Sequence, residues 1–378
     1  EGSIENFEDF IAGADALPEV PRQPCDHEGV PIIFWSSGTT GRPKGIQYTM
    51  HMMLCQWLKP NDAWKMSSFL ISTCFFHTGG FTMPLISGLV RETPVVFVPP
   101  ADVDEDINVI FPVVDKLKPP VMMLGSHHCV SLAKAHKPDP ELNLTSIFSV
   151  IPMGANVYPE ICQDLKKNFP NIQYVMNFYG QTEIPVMITM SLAQDYLGGI
   201  QGEVEAAKII DPESGEALGP NEVGELVLKP QFTMKGYLNR PEENATFFGE
   251  DGWIHTGDLM HYNEEGVLFY DARLKNLIKY KNCHLYPIEI EDIIQKHPDV
   301  IEVGVFGLPE PTVQELVTAL VVKKENGSVT EEELIELVNS KVDDFKKLRG
   351  GVKFVEKLPR NPQGKLLRRQ SQRVRIKY

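Results

Sequence analysis

Cysteine pairs, excess positive charge and clean hydrophobic runs are all missing from this sequence, and each absence narrows what it can be. The six cysteines, Cys25, Cys55, Cys74, Cys129, Cys162 and Cys283, are dispersed with no Cys-x-x-Cys spacing. Reduced thiols in a cytoplasmic protein are expected rather than a disulfide framework. Lys and Arg number 36 against 51 Asp and Glu, for a formal net charge of -15. That balance opposes nonspecific nucleic-acid binding. The basic tail, Arg368, Arg369, Arg373, Arg375 and Lys377, is too small to reverse it, although it can touch phosphate locally. Met66 to Val90 carries no formal charge, but Ser67, Ser68, Ser72, Thr73, His77, Thr78, Gly79, Gly80 and Pro84 interrupt it. A buried strand and helix joined by a loop is expected there, not a transmembrane segment. No basic n-region followed by an apolar core is visible after Glu1, so a signal peptide is not expected, and Ile376-Lys377-Tyr378 does not form the peroxisomal Ser-Lys-Leu address. His127-His128-Cys129 has the residue types of a metal site, but no matching second cluster follows, so these residues are expected to be buried or lining. No protein partner is evident.

What is present reads as layered α/β structure. Short apolar runs such as Ile32 to Trp35, Pro94 to Val98 and Val121 to Leu124 alternate with longer amphipathic stretches. From Gly224 to Tyr270 the texture changes to short strands between turns, including Gly224 to Leu228 and Gly266 to Tyr270, so a β-rich subdomain is expected. A terminal α+β unit of about one hundred residues follows, near the usual domain size. Pro287 opens a helix carrying Ile290, Ile293 and Ile294, and His297-Pro298 closes it. Val303 to Phe306 and Ala319 to Val322 read as strands. Thr330 and Glu333 form a capping box before Leu334, Leu337, Val338, Val342 and Phe345.

The most informative run is Ser36-Ser37-Gly38-Thr39-Thr40-Gly41-Arg42-Pro43-Lys44-Gly45. Its glycines let backbone N–H groups approach phosphate oxygens, its hydroxyls donate hydrogen bonds and Lys44 adds a charge, the combination that holds a polyphosphate. A Walker loop ends in Gly-Lys-Ser/Thr, whereas here Pro43 precedes the lysine and Gly45 follows it. The run resembles the signature of the adenylate-forming (AMP-binding) superfamily, which includes acyl-CoA synthetases, coumarate-CoA ligases, beetle luciferases and the adenylation domains of peptide synthetases. The resemblance implies an α/β large N-terminal domain with a β-rich subdomain, incomplete at its front, and a small C-terminal α+β lid domain. The implied boundaries are 1–272 for the first, 273–275 for a hinge and 276–378 for the lid.

The same resemblance implies the site. Ser36, Ser37, Gly38, Thr39, Thr40, Gly41 and Lys44 hold ATP, and Tyr179-Gly180-Gln181-Thr182-Glu183 matches the family's Tyr-Gly-x-Thr-Glu segment. There the aromatic stacks on adenine, Thr182 touches phosphate and Glu183 helps hold Mg²⁺, each suited to its task as π-face, hydroxyl donor and hard oxygen. Asp258 resembles the aspartate that accepts from both ribose hydroxyls, and Arg273 the arginine near ribose and phosphate, with Lys275 close to the hinge. Lys365, in Pro359-Arg360-Asn361-Pro362-Gln363-Gly364-Lys365, resembles the adenylation lysine, and Lys279 sits where the lid serves thioester formation with CoA. His77 resembles the histidine at the carboxylate entrance, with Phe81, Met153, Gly154 and Met187 lining an acyl pocket that favours an apolar or aromatic acid.

Departures from the family pattern bear on function. Ala272 stands where relatives carry Asp, leaving Asp271 one step away, and Asn282 replaces a common glycine. Met153 stands where relatives are often small, and the sequence begins shortly before the phosphate loop. The expected activity is ATP-dependent conversion of a carboxylic acid to acyl-AMP and then acyl-CoA, with ATP, Mg²⁺ and CoA. A luciferase-type oxidation and a nucleotide-binding protein without turnover are the alternatives. His77 is followed by Thr78 rather than a second histidine, which weighs against the luciferase.

Overall fold

The computed structural model describes residues 26–36, 43–58, 68–85, 88, 90–134, 139–154, 157, 159–190, 204–281, 283–360 and 366–368. Its centre is a parallel sheet ordered Val95–Phe97, Phe69–Ser72, Val121–Gly125, Ser149–Met153 and Tyr174–Val175. The strand period of two sorts the apolar runs onto opposite faces. Leu70, Met122, Leu124 and Val150 pack with Phe111, Leu132 and Leu165 on one side, while Phe69, Ile71, Met123 and Ile151 meet on the other. Both faces of the inner strands are covered, as continuous apolar runs in parallel sheets require. Each such side chain contributes roughly 1.5–3 kcal/mol on burial.

The uncharged stretch from Met66 resolves into strand Phe69–Ser72 and helix Thr78–Leu85 with the turn residues between. Among the described residues no helix is long and apolar enough to cross a membrane.

Around the parallel sheet lie antiparallel pieces that carry the motifs. Strands Ile32–Ser36 and Lys44–Tyr48 pair with Ser36 opposite Lys44, and Gly236–Tyr237 adds to the far edge of the second. Asn177–Gln181 and Ile184–Met190 form a hairpin with Thr182 and Glu183 at its tip. The β-rich part is a sheet ordered Val204–Ile210, Gly224–Pro230, Ile254–Tyr262 and Leu268–Arg273. Its last strand starts at Leu268 rather than Gly266, because Gly266 has φ +76 in the preceding turn.

The C-terminal sheet contains Ile278–Tyr280, Cys283–Leu285, Val300–Glu310, Gln314–Lys323 and Val352–Phe354, with helices Pro287–Gln295 and Glu331–Asn339 on its core. The two long strands extend past the expected Val303 to Phe306 and Ala319 to Val322 because their ladder runs from Val300–Lys323 to Glu310–Gln314. Thr330 caps its helix by accepting the Glu333 N–H at 3.1 Å, but the Glu333 carboxylate lies 3.7 Å from His297 Nε2. That helix ends at Asn339, so Val342 and Phe345 are not on it as the sequence pattern suggests. Arg368, grouped with the phosphate-touching tail by sequence, instead ion-pairs with buried Glu291 and donates to the Val305 carbonyl. The Glu291 carboxylate also accepts the Val305 N–H at 2.8 Å.

Candidate nucleotide and acyl site

Strand register builds the first half of the site. Asp258 stands opposite Arg273 in neighbouring antiparallel strands, and Arg273 Nε lies 2.7 Å from Asp258 Oδ1. The hairpin strand Asn177–Gln181 approaches the same carboxylate: the Tyr179 hydroxyl donates to Asp258 Oδ2 at 2.7 Å, and Gln181 Nε2 donates there too. Gln181 Nε2 also donates to the Thr256 carbonyl at 2.7 Å, which Arg273 Nη1 reaches at 3.5 Å. Burial opposes the charge on Arg273, but Asp258, Tyr179, Tyr270 and Glu183 together raise its pKa, so it is a fixed cation. Burial and then the Asp258 charge push the Tyr179 hydroxyl up, keeping it a proton donor.

The strand irregularity presenting Asp258, where Gly257 has φ +67, is itself braced. Glu225, buried on the next strand, accepts from Gly257 N–H at 2.9 Å and meets His255 Nδ1 at 2.9 Å. Thr256 donates its hydroxyl to the Leu226 carbonyl at 2.6 Å and accepts the Asp258 N–H. Sequence reasoning missed Glu225, since only register brings it beside Gly257, 32 residues on.

The hairpin tip forms the second half. Tyr48 donates to the Thr182 carbonyl at 2.6 Å, and Tyr237 donates to Glu183 Oε1 at 2.9 Å. Lys44 Nζ lies 4.7 Å from the centre of the same Tyr237 ring and 3.9 Å from Glu243. Tyr237 therefore joins the end of the phosphate run to the acidic end of the hairpin, another residue the sequence did not single out. Its hydroxyl is pushed up by burial and by Glu183, so it remains a donor. Ser36 closes the ladder opposite Lys44 and Gly180 is exposed on the hairpin, while Ser37, Gly38, Thr39, Thr40 and Gly41 lie outside the described residues.

Of the acyl candidates, His77, Met153 and Gly154 sit at the carboxyl end of the parallel sheet, where open α/β sheets bind ligands. His77 precedes helix Thr78–Leu85, and its Nδ1 accepts the Gly79 N–H at 3.1 Å. Met153 ends its strand beside Gly125 and takes the Thr73 hydroxyl on its sulfur at 3.6 Å. A side-chain carbon at Gly79 would fall 2.4 Å from Met153 Cε, so the glycine makes room for that methionine. Gly154 follows, exposed with φ +90. Phe81 is partly buried against the antiparallel core, edge-on to Phe34 at 5.7 Å. Met187 lies in strand Ile184–Met190, with its side chain outside the described residues.

The two expected lysines differ in what the structure describes of them. Lys279 is exposed on Ile278–Tyr280, its backbone N–H donating to Glu315 at 2.8 Å. Lys365 lies outside the described residues; the flanking Arg360 and Leu366 bridge to each other, and Leu366 packs on Phe306, Leu320 and Leu358. Ala272 is buried in the sheet opposite Leu259, and Asp271 turns to His261 Nδ1 at 2.8 Å.

The AMP-binding enzyme family matches residues 3–238, and its C-terminal domain matches residues 289–365. A luciferin 4-monooxygenase of Nipponoluciola cruciata is 31% identical over 94% of this chain and 65% of its own length. A 4-coumarate--CoA ligase-like 9 of Arabidopsis thaliana is 32% identical over 91% of this chain and 62% of its own. The chain thus spans less than two thirds of these curated relatives. Among solved structures, ATP-bound MatB from Rhodopseudomonas palustris superposes with a TM-score of 0.78 at 26% identity, covering 92% of this chain and 69% of that one. O-succinylbenzoate Coenzyme A Synthetase (MenE) from Bacillus subtilis, in complex with AMP, gives a TM-score of 0.73 at 25% identity, covering 92% and 69%. With the phosphate run, hairpin and Asp258 group in one fold, the chain belongs to the AMP-binding, adenylate-forming enzyme family, which includes CoA ligases and luciferases.

Proposed function

We propose that this chain activates a fatty or aromatic carboxylic acid with ATP and passes the acyl group to CoA. The observation supporting it is the convergence of Tyr179, Gln181, Asp258 and Arg273 into one bonded group, with Glu183, Tyr237 and Lys44 linked beside it. A nucleotide fits this group. Asp258 Oδ1 is buried beside the Arg273 guanidinium and accepts no hydrogen bond among the described residues, so a ribose hydroxyl that reaches it would find an acceptor. Oδ2 is already engaged by Tyr179 and Gln181, so both ribose hydroxyls cannot take separate oxygens without displacing a resident donor.

In the first step an acid oxygen bonds to the α-phosphorus of ATP and the bond to pyrophosphate breaks. Lys44 and the fixed cation Arg273 offset the charge spreading over the phosphate oxygens, and Lys365 is assigned the same task from the lid. Glu183, a hard oxygen ligand oriented by Tyr237, would hold Mg²⁺, which would supply charge neutralisation at the phosphates. In the second step the CoA thiol displaces AMP. Residues 1–272 and 276–378 act as body and lid about a hinge at 273–275, and the lid presents Lys365 first and the Lys279 face second. His77, Met153, Gly154 and Met187 flank the acyl entrance, with Phe81 supporting it from the core side.

The test is ATP–pyrophosphate exchange over a panel of aliphatic and aromatic acids, followed by thioester formation. Lys365→Ala should cut exchange by about a hundredfold to a thousandfold and leave conversion of supplied acyl-AMP largely intact. Lys279→Ala should do the reverse. Equal damage to both half-reactions in either variant refutes the division of labour, and no exchange with any acid leaves nucleotide binding without turnover. Similarity to a luciferin 4-monooxygenase over nearly the whole chain favours a second reading, oxidation of the adenylate, for which light emission with luciferin and oxygen is the readout.

A further inference from the structure

Asp104, His127 and His128 meet at the carboxyl end of the parallel sheet, outside the nucleotide group. Asp104 lies in helix Pro100–Glu105, and the histidines lie in the first turn of helix Ser126–Lys134, directly after strand Val121–Gly125. Neighbouring helical side chains ordinarily diverge by about 100°. Here the imidazole centres are 3.9 Å apart and both Nε2 atoms point at one oxygen, Asp104 Oδ1, at 3.0 and 2.7 Å. Gly125 permits this, because a side-chain carbon there would come within 2.6 Å of His127 Cε1. Each ring's Nδ1 is buried without a hydrogen-bond partner among the described residues, so the shared oxygen is the polar anchor of both.

We infer that Asp104, His127 and His128 form a binding site for a divalent first-row transition cation of the Zn²⁺ class. Two imidazoles and one carboxylate are a recurrent donor set for such ions and a poor one for Mg²⁺, which prefers oxygen. One donor atom from each residue lies within 4.8 Å of the others, and the N-to-O separations approach the edge of about 3.0–3.4 Å expected around an ion with bonds near 2.1 Å. Asp104 is exposed, leaving the remaining coordination positions to water. The nearby cation Arg360 opposes a further positive charge, but it is paired with Glu302 at 3.0 Å. The ion would clip helix Pro100–Glu105 to the turn after the central strand, separately from any Mg²⁺ at Glu183.

Chelator-treated protein, without nucleotide, should take up one Zn²⁺ per chain by elemental analysis, and with Co²⁺ should show visible absorption of a nitrogen- and oxygen-ligated site. Asp104→Asn should weaken Zn²⁺ binding at least about tenfold to a hundredfold, and His128→Ala should abolish it. Because Asp104 is on the surface, its variant stays informative if His128→Ala fails to fold. Absence of stoichiometric uptake, binding unchanged in Asp104→Asn, or displacement of Zn²⁺ by millimolar Mg²⁺ would each overturn the site.

Discussion

Asp258 and Asp104 are both carboxylates that gather two or more partners, yet they are built on opposite principles. Asp258 is buried, and antiparallel register sets a guanidinium directly across from it while tyrosine and glutamine donors fill its second oxygen. Its charge is balanced inside the protein. Asp104 is exposed, and its partners are two imidazoles rather than a guanidinium. The first arrangement suits a neutral hydroxyl, since adding another cation there would only compete with Arg273. The second sets an exposed carboxylate among imidazole nitrogens, which favours an incoming cation. Contact distances near 2.7 Å are the same in both; the charge of the partner decides the ligand.

The comparison is most easily broken by removing the carboxylates one at a time. Asp258→Ala strands a buried guanidinium, and loss of one partner from such a pair typically costs about 3–5 kcal/mol. Partial exposure of Arg273 places the expected loss near the lower figure. On the proposed role of Asp258 in holding ribose in both ground and transition states, the ATP KM should rise strongly as well. Asp104→Asn, at an exposed position, should change stability by no more than about 1 kcal/mol. Chemical denaturation of the two variants beside wild type checks this, and equal losses would show that Asp104 is part of the folding framework.

Gly125→Ala sharpens the contrast at a smaller scale. The added methyl meets the His127 ring rather than backbone, so the ring can turn away at a cost of about 1–3 kcal/mol or less. Zn²⁺ affinity should fall at least tenfold while ATP affinity is unchanged. A parallel fall in both would mean that the substitution disturbs the whole sheet end and says nothing selective about His127.

How much of this was legible in the sequence follows from how local each feature is. The hairpin motif and the Thr256-Gly257-Asp258 segment are contiguous, and each comes out of the sequence as a unit whose members lie together in the fold. Helix Pro287–Gln295 was legible from Pro287 and its isoleucine spacing for the same reason. Partners supplied by tertiary structure were not. Tyr237 reaches Glu183 from 54 positions away, and Arg368 reaches Glu291 from 77, with no periodicity connecting either pair. His127 and His128 find their carboxylate partner Asp104 more than twenty residues upstream, while Cys129 beside them is buried in the core, so no local spacing marks the cluster. Long strands were underestimated because a ladder, not the apolar run alone, sets where pairing stops.

Another histidine–carboxylate contact gives the finest test of whether partner charge is what distinguishes these sites. His261 Nδ1 lies 2.8 Å from Asp271 Oδ2, and its ring stacks on Phe269 at 4.9 Å. Here the hydrogen bond to Asp271 outweighs partial burial and raises the imidazole pKa, the opposite of His127 and His128. Because the folded value is raised, the pair's contribution to stability is fully present below the unfolded value of about 6.5 and is lost as pH rises through the folded one. The stability difference between wild type and Asp271→Asn should therefore shrink from pH 6 to pH 9, by less than about 1 kcal/mol for a partly exposed pair. Urea unfolding of both proteins across that range measures it. A difference that grows with pH would mean that His261 is neutral like the Asp104 pair, and the distinction between a charged and an uncharged imidazole partner would fail at this site.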